Sequence, residues 1–309
     1  MRIIQFFLPG EGKRVGVLAT DGRVIDITTD EISSTLRLLQ IAESEGVSLN
    51  VIAAEMEEEI SLKHPDKEEL PRITFPELDV QPRDSVPHLL IPIDPPEVWG
   101  CGVTYFRSAE MRDIETEGDI YSRAYRAERP EIFFKATASR CVGPNEPVCI
   151  RSDSIHTAPE PELAYILDGK GRIIGYTIAN DMSAWDIERE NPLYLPQSKI
   201  YRGCCALGPM IVTTSEIPDP MDLSITCRII RENEIIFEGE INTSQMKRSI
   251  DEINEYLLRD NPIPTGTVVM TGTGIVAPKD LPLRDGDVVE IEIEEIGVLS
   301  NPVRKLEPI

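Results

Sequence analysis

Residues 159–181 run Pro159-Glu160-Pro161-Glu162-Leu163-Ala164-Tyr165-Ile166-Leu167-Asp168-Gly169-Lys170-Gly171-Arg172-Ile173-Ile174-Gly175-Tyr176-Thr177-Ile178-Ala179-Asn180-Asp181. Two apolar, β-favouring runs, 163–167 and 173–179, flank the turn signal Asp168-Gly169-Lys170-Gly171, which predicts a hairpin. Glu160 and Glu162 stand two apart on a backbone that the flanking prolines bias toward extension, so both carboxylates point to one face. The returning strand brings Asp181 toward them. Three carboxylates can then share one hard cation, Mg²⁺ or alternatively Mn²⁺ or Ca²⁺, leaving positions for a bidentate substrate. The competing interpretation is a solvated strand edge, because acidic pairs are common in an acidic chain.

Outward from the hairpin, short β-branched runs continue at 147–150, 210–213, 224–230, 234–241, 267–271 and 287–293. Helical spacing is confined to 109–127, with Arg and Glu at i to i+4 offsets, and 246–259, where Ile250, Ile253, Leu257 and Leu258 line one face. Before residue 94 the texture differs. Strands at 2–8, 14–19 and 23–27 lead into one or two helices across 31–60, broken at Gly46. Prolines at 65, 71, 76, 82, 87, 92, 95 and 96 exclude helix from the connector that follows. The expected fold is therefore α+β and β-rich: a small N-terminal α+β domain with connector at 1–93, then a larger β-rich domain at 94–309.

Against 54 acidic residues the chain carries 31 basic ones, a net charge of −23. Such a field repels polyanions, so nucleic acid and anionic membrane surfaces are excluded as partners. A small anionic substrate fits only where a metal ion or local Lys and Arg reverse the potential. No apolar run approaches the ~20 residues that span a bilayer, and Pro9 stops the opening 3–8 run short of a signal peptide. A cytoplasmic location is expected, with the six cysteines reduced and mostly buried. Adjacent Cys204 and Cys205 make a poor chelate and a poor disulfide.

Only three histidines occur, His64, His88 and His156, and no G-x-S-x-G, H-E-x-x-H, G-x-x-x-x-G-K-[ST] or G-x-G-x-x-G is present. Zinc sites and serine triads thus lack material. His156 is a loop residue that could touch substrate. Lys135 and Lys199 each follow apolar or proline-bearing stretches. A lysine partly desolvated beside a metal can act as a base, whereas a surface lysine merely snorkels. The glycines of Thr271-Gly272-Thr273-Gly274 let backbone N–H groups approach an oxyanion or carboxylate, or simply make a turn.

Together Phe133-Phe134-Lys135, Glu160-x-Glu162-Leu163, Gly175-Tyr176-Thr177-x-x-Asn180-Asp181, Lys199, Gly208-Pro209, Thr271-Gly272-Thr273-Gly274 and Leu283-x-x-Gly286-Asp287 resemble the fumarylacetoacetate hydrolase family, over residues 94–303. Residues 129–135, 190–201 and 260–264 look nearest to its 2-keto-3-deoxy-D-arabinonate dehydratase branch. The resemblance implies a mixed β-roll catalytic domain, a homodimer or homotetramer, and Mg²⁺ on Glu160, Glu162 and Asp181. It also implies acid–base work by Lys199 and Glu131, and substrate contacts from Lys135, Thr273, Gly272 and Ser108. One departure carries weight. Hydrolytic members carry N-Y-x-x-H-x-x-E, with His and Glu activating water; here Ser108 replaces the His and Met111 the Glu. Serine is no base at neutral pH, and dehydration needs no activated water. The implied reaction is dehydration of a 2-keto-3-deoxy sugar acid to 2,5-dioxopentanoate through an enolate. Acylpyruvate-type hydrolysis, decarboxylation or isomerisation, and a non-catalytic keto-acid-binding module, are the alternatives.

Overall fold

The computed structural model describes residues 1–63, 73–116 and 119–308. The hairpin forms as predicted. Pro161–Leu167 pairs antiparallel with Ile173–Asp181, and Asp168 closes the turn by accepting the Gly171 amide on its carbonyl at 3.0 Å and the Arg172 amide on its carboxylate at 2.8 Å. Gly171 takes φ +76°, which its lack of a Cβ permits. Every residue of Pro161–Leu167 is buried, so both faces of this strand are covered.

Among the described residues the hairpin lies at the centre of a mixed eleven-stranded sheet. On one side Cys205–Thr213, Arg2–Leu8, Gly12–Leu18 and Val24–Asp26 follow in order; on the other come Thr267–Met270, Val98–Gly102 and Glu131–Ala136. Val98–Gly102 runs parallel to Thr267–Met270, and Cys141–Val142 runs parallel to Cys205–Thr213. A second sheet of five strands, Glu234–Asn242, Ser224–Arg231, Val288–Ile293, Gly297–Lys305 and Val148–Ile150, packs on the first. Cys227, Ile291 and Leu299 from the smaller sheet share one apolar core with Leu163, Ile178 and Leu207 from the larger. The fold is thus α+β and β-rich.

The N-terminal strands belong to the large sheet instead of forming an isolated one. Arg2–Leu8 pairs with Cys205–Thr213, and the two faces of the strand serve two cores, as a period of two dictates. Ile4 and Phe6 enter the main core, whereas Ile3 joins Leu38, Ala42, Leu49 and Ile52 under the helices. Those helices, Thr35–Glu45 and Leu49–Lys63, are separated at Gly46, which caps the first in the left-handed region.

Three helix expectations need correction. Among its described residues the proline-rich connector holds one short helix, Phe75–Leu78, because Pro76 sits in its first turn, where no amide is needed. His64, Pro65 and Pro71 lie outside the described residues. The single helix expected at 109–127 is two, Phe106–Thr116 and Ile120–Arg126; Asp113 accepts the Tyr121 and Ser122 amides at 2.9 and 2.8 Å and starts the second. The helix expected at 246–259 spans Ile250–Leu258, begun by the Ser249 side chain capping the Glu252 amide.

Candidate active site

Glu160 stands just ahead of its strand and accepts the Asp181 amide on its main-chain carbonyl at 2.9 Å, which sets Asp181 beside it. Glu162 lies two residues on, with its carboxylate on the same face. One oxygen from each of Glu160, Glu162 and Asp181 falls within 4.8 Å of the others. The solvated-edge interpretation fails here: the three are 3, 2 and 1% exposed.

Burying three carboxylates together is costly unless cations answer them. Three do. Arg112 Nη2 donates to Glu160 Oε1 at 2.8 Å, and Lys199 Nζ donates to Glu160 Oε2 at 3.1 Å and Asp181 Oδ2 at 2.8 Å. Lys135, fully buried, ion-pairs with Asp181 Oδ1 and donates to the Met182 carbonyl at 2.9 Å. Trp185 Nε1 adds a bond to Glu160 Oε1 at 2.7 Å, and the Gly272 amide reaches Glu162 Oε2 at 2.5 Å. Gly272 sits at φ +92°, and a Cβ there would meet Thr104 Oγ1 at 2.2 Å. The carboxylate that this glycine approaches is therefore a candidate metal ligand of the chain itself.

The same pocket is lined by Glu131 and Glu188 together with Ser108, Arg112, Phe133, Leu195, Lys199 and Thr273. Glu131 and Glu188 thus add to the acidity around the triad, and a divalent ion would offset part of that charge. An all-carboxylate donor set suits a hard ion such as Mg²⁺. The residues present fit the ion.

Electrostatics divide the acids by environment. Burial alone would raise the Glu160 pKa, but Arg112 and Lys199 outweigh it and hold the group well below the ordinary range. Glu162 goes the other way, raised by burial and then by the Asp181 and Glu160 charges. Glu131 is raised by burial and by Glu188. Burial would lower Lys199, yet Asp181 and Glu160 outweigh it and hold the ammonium protonated.

Sequence reasoning found the acidic triad, Lys199, Glu131, Ser108 and Thr273, all of which converge here. Lys135 lies behind Asp181, away from the pocket lining. His156 lies tilted against Trp185 with ring centroids 5.5 Å apart. Arg112, Trp185, Ser183 and Glu188 were missed. Ser183 Oγ accepts from Lys199 Nζ at 2.6 Å, and Glu188 accepts from Tyr121 Oη at 3.1 Å. The available signal was Asp181-Met182-Ser183-Ala184-Trp185 directly after the third acid, where chain continuity keeps neighbours close.

A model of the fumarylacetoacetate (FAA) hydrolase C-terminal family matches residues 98–304. The chain belongs to this family. Within it, 2-dehydro-3-deoxy-D-arabinonate dehydratase of Saccharolobus solfataricus is 56% identical over 219 residues, 69% of this chain and 74% of that protein. The probable 2-keto-3-deoxyxylonate dehydratase of Haloferax volcanii is 46% identical over 217 residues, covering 70% and 75%. A solved structure of 2-keto-3-deoxy-D-arabinonate dehydratase complexed with magnesium and 2,5-dioxopentanoate superposes with a TM-score of 0.80, at 41% identity and full coverage of both chains.

Proposed function

We propose that this chain is a Mg²⁺-dependent hydro-lyase that converts 2-keto-3-deoxy-D-arabinonate to 2,5-dioxopentanoate. The observation that carries it is the buried acidic triad with Lys199 bridging two of its members, in a chain 56% identical to a protein named for that dehydration. Glu160, Glu162 and Asp181 would hold the ion, which when bound would supply Lewis-acid polarisation of a 2-keto group.

The remaining work falls to side chains. Lys199 Nζ, fixed by Ser183 and over the Phe133 ring at 5.3 Å, removes the C3 proton. Neutralising Glu160 and Asp181 would withdraw the largest charges that keep its ammonium protonated, and burial and the Arg112 charge would then lower its affinity for the proton against Glu188. Glu131, whose raised pKa favours the protonated form, gives its proton to the C4 hydroxyl as that group leaves as water, and proton movement from C5 to C3 followed by ketonisation of the resulting C4–C5 enol gives the terminal aldehyde. Ser108 and Thr273 on the pocket wall orient the substrate, and Phe133 and Leu195 exclude bulk water. Lys135 and Gly272 serve substrate binding through the carboxylates they hold. With Ser108 and Met111 in place of a His and Glu pair, no dyad is available to activate water for hydrolysis.

Among the described residues no helix is long and apolar enough to cross a membrane. A cytoplasmic location, supported by six free cysteines, and a homodimeric or homotetrameric state complete the reading, with 1–93 and 94–309 as its two domains. The test is incubation of protein and Mg²⁺ with 2-keto-3-deoxy-D-arabinonate, following aldehyde against pyruvate. 2,5-Dioxopentanoate without pyruvate is expected; pyruvate would select aldol-type cleavage instead. Glu160→Ala combined with Glu162→Ala should abolish turnover and also the calorimetric heat of Mg²⁺ binding, and turnover persisting in metal-free buffer would sink the mechanism.

A further inference from the structure

Beneath the acidic triad lie two thiols that the dehydration does not use. Cys141 and Cys205 are direct Cα partners across a parallel strand pair, so their side chains leave the same face of the sheet. Strands lie ~4.8 Å apart, inside the 4.4–6.8 Å Cα span of disulfides, about. Cys204 is the immediate neighbour of Cys205 and therefore points to the opposite face, which leaves Cys141 as the partner. Cys141 is partly exposed, whereas Cys205 is fully buried, 4.0 Å from Met270 Sδ. On its other side Cys205 is the Cα partner of Asp181, and an antiparallel pair shares a face, so the Cys205 thiol and the Asp181 carboxylate stand side by side.

We propose that Cys141 and Cys205 are a modification site: a latent disulfide under the active site, closed by hydroperoxides and reopened by thiols. Cys141, the accessible partner, reduces the hydroperoxide O–O bond, giving its sulfenic acid and releasing the alcohol, or water from hydrogen peroxide. The Cys205 sulfur then attacks the sulfenic sulfur, the S–S bond forms, and the second oxygen leaves as water. Two electrons pass from the sulfur pair to the peroxide. Closure draws the two Cβ atoms from roughly the strand spacing to about 3.8 Å. Asp181, registered on Cys205, takes up part of that shift. Displacement of a catalytic group by about 1 Å costs on the order of 10²-fold in rate.

The bridge is read by mass, so its presence does not depend on the substrate assigned above. Purified Mg²⁺-loaded protein is treated with hydrogen peroxide, alkylated and digested with trypsin without reduction. Peptide 141–151 should appear joined to 203–228, with fragmentation placing the link between Cys141 and Cys205 and not at Cys149, Cys204 or Cys227. Turnover of the keto acid should fall about 10²-fold and return with dithiothreitol. Cys141→Ser should keep its starting activity through the same treatment. Free thiols at both positions after peroxide, a bridge at other cysteines, or equal loss in Cys141→Ser would each overturn the assignment.

Discussion

Arg112 carries more of the site than its place on a charged helix suggests. Its guanidinium and the Trp185 indole both bond Glu160 Oε1, which leaves Oε2 to accept from Lys199. Arg112→Met strands a buried carboxylate, so the expected loss of stability is about 3–5 kcal/mol, measured by urea unfolding. Mg²⁺ affinity should drop on the order of 10–100-fold by calorimetry. Trp185→Phe removes one bond to a charged group and should cost about 1.5–3 kcal/mol. Gly102 is a second such position. A Cβ there would stand 2.2 Å from Glu131 Oε2, so Gly102→Ala should lower kcat by about 10²-fold while leaving Mg²⁺ affinity unchanged. The acids were legible because alternate spacing and a turn are local facts. Arg112 was not, since Arg and Glu at i to i+4 offsets look the same on a solvated helix as on one whose face is pressed against a carboxylate.

At the scale of elements, the legible parts are those whose signals are short-ranged. Gly46 after an apolar periodic stretch and Asp168-Gly169 between two β runs each acted as read. Where an element's limit is set by a distant side chain, local reading overshoots. Asp113 caps Ile120–Arg126 from eight residues upstream and so cuts one expected helix into two. Asp113→Ala should speed hydrogen exchange at the Tyr121 and Ser122 amides and cost about 1 kcal/mol. Because Tyr121 bonds Glu188 and lies under Arg112 at 5.7 Å, the same variant should slow turnover without changing Mg²⁺ stoichiometry. Pro76 teaches the complementary lesson: a proline forbids helix interiors but suits a first turn, so counting prolines hid the short helix Phe75–Leu78.

Across the whole molecule, pH and Mg²⁺ act on stability through the same acids. The Glu162 pKa is raised in the folded, metal-free protein by burial and by the neighbouring acids. Its protonated form therefore stabilises the fold below the ordinary glutamate pKa, and that contribution is lost as pH rises through the raised value. Glu160 behaves oppositely: its depressed pKa, held down against burial by Arg112 and Lys199, gives stability above the ordinary glutamate range that fails only in strong acid. Calorimetry of metal-free protein should show Tm falling from mildly acidic to neutral pH. Mg²⁺ should reverse the fall, by about 2.7 kcal/mol at a hundred times its Kd, with more effect at neutral pH than in acid. A flat metal-free profile would count against the crowding of Glu162.

What no local pattern could disclose is the pairing of Arg2–Leu8 with Cys205–Thr213, some two hundred positions apart in the chain. The second of these strands is nine residues long and wholly buried, and its other neighbour ends on Asp181. A fragment starting at Asp94 would keep Cys141–Val142 on one end of that edge but bare its other end around Ile211 and Val212, an apolar edge of the kind that recruits identical copies into insoluble stacks. Chimaeric enzymes that borrow only the catalytic half would need a substitute for that missing strand partner before they stayed in solution.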